Sequence, residues 1–310
     1  MKSAPRVVAL GGGHGLAATL TALRTLTEDV TAVVTVADNG GSSGRLRDEF
    51  HSLPPGDLRM ALAALCADDS WGRDWAEILQ YRFISEGEMN GHALGNLLLT
   101  ALWNREGDAV QGIKRVGELL KITGRVLPMA LEPLDIEGTF LTAIGRKIVR
   151  GQVEVATAKG RVESLRLIPE SPRECVAATD AILGADWVTL GPGSWFSSVM
   201  PHILLAHHAA AIERSAAKKI VIFNLPEPSS ADEFAGSSAE DHLLLLLQHS
   251  PSLHLDFAIA DPSSIHSNSH LKELVEGCGG QLLVESVAEQ PGSFHHDPKK
   301  LAQTLSHIFN

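Results

Sequence analysis

The 310-residue sequence predicts an α/β fold built on a mostly parallel sheet. Three observations carry that expectation. Apolar, β-branched runs alternate with stretches of helical spacing along most of the chain, as β-α-β units do. The first two such runs, Arg6 to Leu10 and Val30 to Ala37, pass straight into glycine-rich loops. The second run, VTAVVTVA, is apolar nearly throughout rather than alternating, as expected of a strand covered on both faces.

Taken in order, Arg6 to Leu10 reads as a strand ending in Gly11-Gly12-Gly13-His14-Gly15, and Leu16, Leu20, Leu23 and Leu26 carry the helical spacing that follows. Val30 to Ala37 is the next strand, and it runs into Asp38-Asn39-Gly40-Gly41-Ser42-Ser43-Gly44. From Asp57 to about Lys121 the pattern is mostly helical, through DLRMALAALC, DWAEILQYRF, HALGNLLLTALWN and VQGIKRVGELLKI. Across residues 126–168 the period changes to two, and IVRGQVEVATAKGRVESLRLI reads as short strands joined at Gly151 and by the turn Ala158-Lys159-Gly160. A small β-rich insert is expected there. Helix and strand then alternate again from CVAATDAIL and DWVTL through KKIVIFNL, AEDHLLLLLQHS, LHLDFAIA and QLLVE to PKKLAQTLSHI. Such alternation implies right-handed crossovers and a ligand crevice at the strands' carboxyl ends. Residues 1–310 are expected to form a single α/β domain.

Composition narrows the function classes. Apolar residues at 44% and charged residues at 20% exclude a disordered or collagen-like chain. A net charge of −11 repels nucleic acid and anionic membrane surfaces, and no stretch reaches the roughly 18 apolar residues that span a bilayer, so no nucleic-acid binding and no membrane insertion are expected. Most of that acidity lies in residues 225–310, where 3 basic residues face 12 acidic ones. The glycine loops lie elsewhere, and one small phosphorylated ligand is compatible with them. Cys66, Cys175 and Cys278 are far apart and form no C-x-x-C pair, so neither a disulfide framework nor a cysteine zinc site is encoded. A cytoplasmic protein is expected. The sequence leaves a homo-oligomer and a protein partner open.

Five segments can carry chemistry. Gly12, Gly13, His14 and Gly15 lie between a buried strand and a helix, where free amides face an anion. The segment is neither a full G-x-G-x-x-G fingerprint, since position 16 is Leu16, nor a P-loop. A tight turn without a ligand is the competing reading. Asp38, Asn39, Gly40, Gly41, Ser42 and Ser43 gather hydrogen-bonding groups where the second strand ends, although D-N-G-G is also an ordinary turn. Asp57, after Pro54-Pro55-Gly56, reads either as a helix N-cap or as a ribose or metal ligand, with Arg59 as a phosphate clamp. His92 and Asn96 stand four apart, which would place them on one helix face, and Asn96 interrupts an apolar helix and needs a partner. Gly191, Pro192, Gly193 and Ser194 repeat the strand-turn-helix logic, and Asn224 ends the following strand. The histidines at 207, 208, 266, 270, 295 and 296 have no H-E-x-x-H spacing and read as surface or satisfied side chains. No G-x-S-x-G elbow supports a hydrolase triad.

The ordered set GGGHGL, ADNGGSSGRLR, PPGDLRMALAAL, YRF, GHALGNLLLTAL, VLPM, LGPGSWFSSVMPHIL and FNL resembles the YvcK-like gluconeogenesis factor family of the CofD-like superfamily. The resemblance runs from about Arg6 to the carboxyl end. It implies a Rossmann-like three-layer α/β/α sandwich and a cytoplasmic bacterial factor needed for gluconeogenic growth and linked to cell-wall synthesis and cell shape. It also implies binding of UDP-sugars such as UDP-N-acetylglucosamine. The related CofD enzymes transfer phospholactate from a guanylated donor to a deazaflavin precursor with magnesium, using acidic motifs where this chain has ADNGGSSG and PPGDLR. Here Asp38 is followed by Asn-Gly-Gly-Ser-Ser rather than an acidic pair, as in the YvcK branch, while Asp57 matches the second acidic position. After Asn224-Leu225 the family continues with a P-G-E-T-like stretch, whereas this chain reads PEPSSADEFAGSS.

The leading expectation is a nucleotide-sugar-binding regulatory factor. Gly12 to Gly15 and Gly191 to Ser194 would hold a diphosphate, Asp38 to Ser43 and Asn96 would contact ribose or sugar, and His92 and Arg59 would complete the cleft. The alternative is a CofD-type transferase in which Asp38 and Asp57 hold magnesium. A dinucleotide dehydrogenase is disfavoured by the missing third glycine and by the position of Asp38, too far beyond the glycine turn for the usual ribose-binding acid.

Overall fold

The computed structural model describes residues 4–226 and 238–309. The central sheet is built from β1 (Val7–Gly11), β2 (Val30–Val34) and β3 (Arg125–Pro128), then from β7 to β10 of the second half. Between β1 and β3 run α1 (Gly13–Leu23), α2 (Gly41–Phe50), α3 (Gly56–Ala64), α4 (Ser70–Gln80), α5 (Leu94–Glu106) and α6 (Ala109–Leu120). The insert contains β4 (Asp135–Thr142), β5 (Gly145–Arg150), α7 (Gln152–Ala156) and β6 (Arg161–Ile168). After it come α8 (Val176–Gly184), β7 (Trp187–Leu190), a π-helical turn over Trp195–Val199, α9 (Met200–Leu204), α10 (Ala206–Arg214) and β8 (Lys218–Ile222). The chain closes with α11 (Ala239–His249), β9 (Phe257–Ala260), α12 (Asn268–Gly277), β10 (Gln281–Val284) and α13 (Pro298–Phe309).

The main sheet has the order β10-β9-β8-β7-β1-β2-β3, and every pairing in it is parallel. All residues of β1, β2 and β7 are buried, which explains why these strands read as continuous apolar runs. Val7 pairs with Val30 on one side and with Trp187 on the other, so the strand order reverses at β1. Right-handed crossovers then place the helices after β1 and those after β7 on opposite faces of the sheet. The α/β fold with flanking helices is the one expected. A reversal of strand order opens a crevice at the carboxyl ends of the two strands concerned, and in this chain both of those ends are glycine loops.

The insert forms a separate antiparallel sheet of order β5-β4-β6. Its bounds are narrower than 126–168, because Val126 to Pro128 pair with β2 in the main sheet. The segment QVEVA, read as a strand from its alternating valines, folds as α7. Gly151, at φ +109°, ends the ladder of β5, and the Asn39 side chain accepts the Val153 amide at 3.2 Å. A cap supplied from over a hundred residues away thus outweighs local strand propensity. Phe140 of β4 is fully buried and meets Phe196 edge-on, with ring centroids 6.5 Å apart. Ile136, Phe140, Val155, Leu165 and Leu167 belong to the same apolar core as the sheet.

Candidate functional site

The two glycine loops touch. A Cβ at Gly15 would stand 2.3 Å from the Pro192 carbonyl oxygen and 2.6 Å from the Gly193 nitrogen, so only glycine lets α1 begin against the second loop. A Cβ at Gly12 would fall 2.4 Å from Asp57 Oδ2 and 2.5 Å from Thr35 Cγ2. Close approach of protein to protein therefore accounts for both residues. Gly13 differs: its φ is +61° and nothing lies within 4 Å of its missing side chain.

Asn224, at the end of β8, grips the second loop with both ends of its amide. Its Oδ1 accepts the Gly193 amide at 3.0 Å and its Nδ2 donates to the Gly193 carbonyl at 2.8 Å. Asn224 thus acts as a strand partner for an irregular loop. Ser194 caps the π-helical turn by accepting from the Ser197 amide. Thr35 donates to the Ser197 carbonyl at 2.9 Å, and Gln152 of α7 donates to Ser197 Oγ at 3.2 Å. The loop is fixed from β8, from the end of β2 and from the insert. Between the loops opens a cleft of about 350 Å³, walled by Gly13, His14, Gly15, Asp57, Pro192, Gly193, Ser194 and Asn224 among the predicted residues.

Asp57 lies in the first turn of α3, but Pro55 occupies the cap position, so the N-cap reading is not what the structure adopts. The Asp57 carboxylate instead reaches the first glycine loop and accepts a hydrogen bond from Gly13. Burial, and then the neighbouring charge of Asp38, push its pKa up to about 7. Asp38 accepts the Gly40 amide at 2.9 Å.

The remaining predicted side chains form a buried polar chain beside the cleft. Arg59 Nε donates to Asn96 Oδ1 at 2.8 Å, and Asn96 Nδ2 donates to Ser42 Oγ at 2.9 Å. Ser42 also accepts the Ala93 amide at 3.4 Å and lies 3.0 Å from His92 Nδ1. With both lone pairs of Ser42 taken, its proton goes to Nδ1, which leaves His92 neutral and protonated on Nε2. Burial, followed by Arg45, lowers the His92 pKa in the same sense. His92 and Asn96 do not share a helix face: α5 starts at Leu94, because Phe83 donates its amide to the His92 carbonyl and Arg82 pairs with Ala93, which keeps that strand of chain extended. They meet instead at Ser42.

Burial lowers the Arg59 pKa to about 10, with Arg82 adding to the effect, so the guanidinium remains charged at neutral pH. Its Nη1 is buried and has no partner among the described residues. Asn39 is committed to the insert through Val153 and Glu154. Ser43 packs where Gly56 has no Cβ, with 2.3 Å between that missing atom and Ser43 Oγ. Gly40 and Gly41 open α2, Gly40 as its N-cap. The departure after Leu225 spans residues 226–238, of which 227–237 lie outside the described residues, and Ser238 at its end caps α11.

Several cleft residues carried no sequence signal. Trp195 stacks on His242 with centroids 4.6 Å apart, and His296 lies 3.1 Å from the Phe223 carbonyl oxygen through Nε2. His296 is indeed a satisfied histidine, yet together with Phe294 and His295 it also lines the cleft. Only the fold brings the carboxyl-terminal segment to the first glycine loop. The described residues contain no group of three His, Cys, Asp or Glu able to hold a metal ion, and none of their helices is long and apolar enough to cross a membrane.

The sequence model of the family described as 2-phospho-L-lactate transferase CofD matches residues 7–292. The chain belongs to the CofD family. A protein of Mycobacterium tuberculosis named Putative gluconeogenesis factor is 47% identical over 97% of this chain and 90% of its own length. The Gluconeogenesis factor of Listeria monocytogenes is 31% identical over 97% of this chain and 94% of its own length. The crystal structure of a UPF0052-family protein from Bacillus halodurans superposes with a TM-score of 0.86 at 30% identity, covering 99% of both chains. The fold shared with that solved structure thus extends through the insert and the carboxyl-terminal segment that lines the cleft.

Proposed function

We propose that this CofD-family chain is a regulatory gluconeogenesis factor that binds a nucleotide-linked sugar, such as UDP-N-acetylglucosamine, and couples that ligand to gluconeogenic growth and to cell-wall synthesis and shape. The observation that carries the reading is the backbone contact between two glycine loops where the strand order reverses, with a cleft of about 350 Å³ opening between them. A diphosphate fits there at the start of α1, whose dipole favours an anion. Asp57 would oppose it if ionised, but a pKa of about 7 leaves much of it protonated near neutrality, when it can donate a hydrogen bond to phosphate. The polar lining from Gln152, Ser194, Ser197 and Ser198 suits a sugar. Titration calorimetry with UDP-N-acetylglucosamine and a panel of nucleotides tests the reading: saturable heat is expected, and none from folded protein contradicts it. Deletion of the gene in its host is expected to impair growth on gluconeogenic carbon sources but not on sugars.

One observation favours a second reading, a CofD-type phospholactyl transferase. Asp38 is close enough to Asp57 to raise its pKa, and a pair of carboxylates suits magnesium, which takes one or two of them and completes its shell with water and substrate phosphates. Asp38 and Asp57 would hold the ion, which would supply charge neutralisation at the transferred phosphate. Mass spectrometry of a guanylated phospholactyl donor incubated with a deazaflavin acceptor, magnesium and this protein decides between them, since the regulatory reading expects no product.

A further inference from the structure

We propose that β5, the free edge of the insert, docks an acidic, extended segment of a partner protein, which adds to the antiparallel sheet as a further strand. In the order β5-β4-β6 two strands have an outer edge. That of β6 is met by α11, whose Gln248 Nε2 donates to the Glu163 carbonyl at 3.1 Å. The edge of β5 is open. Gly151 donates its amide to the Ile136 carbonyl at 2.8 Å, one step beyond the Glu137–Arg150 pair, and this sets the phase of the ladder. Bonded and unbonded pairs alternate along an antiparallel ladder, so Gly145, Lys147 and Val149 bond to β4. The amides and carbonyls of Arg146, Ile148 and Arg150 therefore face outward. Among the described residues none pairs with them.

The side chains of this edge select the occupant. Although the chain carries a net charge of −11, β5 reads GRKIVR, with three bases and no acid. Arg146, Ile148 and Arg150 share one face of the sheet, opposite Leu141, Thr139 and Glu137. Ile148 is 67% exposed, and Leu141 and the hairpin-tip Ile144 are exposed beside it. A second copy of β5, paired antiparallel about Ile148, would set Arg146 against Arg150 at both ends, and like charges directly opposite destabilise a sheet. A partner strand with an acidic residue two positions to either side of an apolar one instead sets a carboxylate against each arginine and an apolar side chain against Ile148.

Both arginines already hold a carboxylate of the insert, Arg146 that of Glu163 at 2.7 Å and Arg150 that of Asp135 at 2.7 Å. Each is more than half exposed, and a guanidinium has five donors, so these ion pairs leave N–H groups for a second carboxylate. The edge also adjoins the cleft wall. Gln152, the first residue of α7, stands two residues beyond Arg150, lines the cleft and donates to Ser197 Oγ of the second glycine loop. A strand docked on β5 would thus sit next to an element that shapes the ligand site.

The test uses the full chain and synthetic peptides of about ten residues, a strand with short flanks. The acidic probe carries glutamate, threonine, valine, threonine and glutamate in that order at its centre. A second probe has lysine in place of glutamate, and a third is the acidic peptide with an N-methyl group on the central valine, whose amide would face Ile148. Titrated to millimolar concentration into nitrogen-15-labelled protein, the acidic peptide is expected to shift the amide resonances of Arg146, Ile148 and Arg150 saturably. The other two are expected to bind at least tenfold more weakly. Ile148→Pro removes an outward amide and spares the ladder to β4, the placement in which an edge strand tolerates proline, and is expected to lose tenfold or more in affinity for the acidic peptide. The double variant Arg146→Glu/Arg150→Glu is expected to prefer the lysine peptide, a gain that misfolding cannot imitate. The absence of saturable shifts with the acidic peptide, shifts centred away from β5, or equal binding of the N-methylated peptide would each overturn the proposal. So would a parent dimer in sedimentation that Ile148→Pro dissociates, because the edge would then belong to a second copy.

Discussion

At the residue scale, Asn96 shows how a single polar side chain can tie three helices together beside a site. The sequence shows an amide interrupting an apolar helix, and the need for a partner follows from burial alone. What it does not show is that both ends of the amide are taken by residues from two other helices, Arg59 and Ser42. Asn96→Leu would leave the Arg59 Nε donor unpaired in a buried position and remove one of the three hydrogen bonds at Ser42, at a cost of about 3 kcal/mol. Urea unfolding is expected to show a lower midpoint with an unchanged slope. Asn96→Asp keeps the acceptor facing Arg59 and is expected to lose less. An Asn96→Leu protein as stable as the parent would mean that the polar chain contributes nothing.

At the element scale, the glycine loops join the sheet to its proposed ligand, and their glycines have different reasons to be there. Gly15 is excluded from bearing a side chain by the backbone of the second loop, which cannot step aside as a flexible side chain can. Gly15→Ala is therefore expected to cost about 2–3 kcal/mol and to weaken ligand binding by more than tenfold as the loops separate. Gly13→Ala meets open space and costs only the strain of a positive φ, about 1 kcal/mol. Thermal unfolding of the two variants side by side checks the order; equal shifts would show that loop contact is not what requires glycine at position 15. The alternation of strand and helix, the parallel sheet, both loops and a β-rich insert were legible in the sequence because each is a local pattern. The helix α7 was not, since Asn39 caps it across the fold, and neither was the start of α5, which depends on the extended pairing of Arg82 with Ala93.

At the scale of the whole molecule, buried histidines set the response to acid. Burial lowers His202, His242 and His296 to about 4 and holds His208 well below the usual histidine value. Each is neutral in the fold and takes up a proton more readily when unfolded, so its contribution is complete above about pH 6.5 and is lost as pH falls toward 4. Asp57 acts in the opposite sense, because its raised pKa costs stability as pH rises from about 4 to 7. The three histidines held near 4 are each worth on the order of 3 kcal/mol, and together they outweigh one carboxyl. Stability is therefore expected to fall by several kcal/mol between pH 6.5 and 4, as urea unfolding at a series of pH values would show; a flat profile would contradict the burial of these rings. The cleft itself was only half legible. Each glycine loop is a short contiguous motif, whereas the wall formed by His242, Phe294 and His295 comes from segments without such a motif, and only the order of the strands brings them beside the loops.

The central claim is a location: one diphosphate held where the two glycine loops meet. A crystal structure of the protein grown with UDP-N-acetylglucosamine tests it most directly. The account predicts phosphate density between Gly13 and Gly193, within hydrogen-bonding distance of loop amides and facing Asp57. Density for the nucleotide elsewhere on the molecule, with this cleft filled only by water, would contradict it.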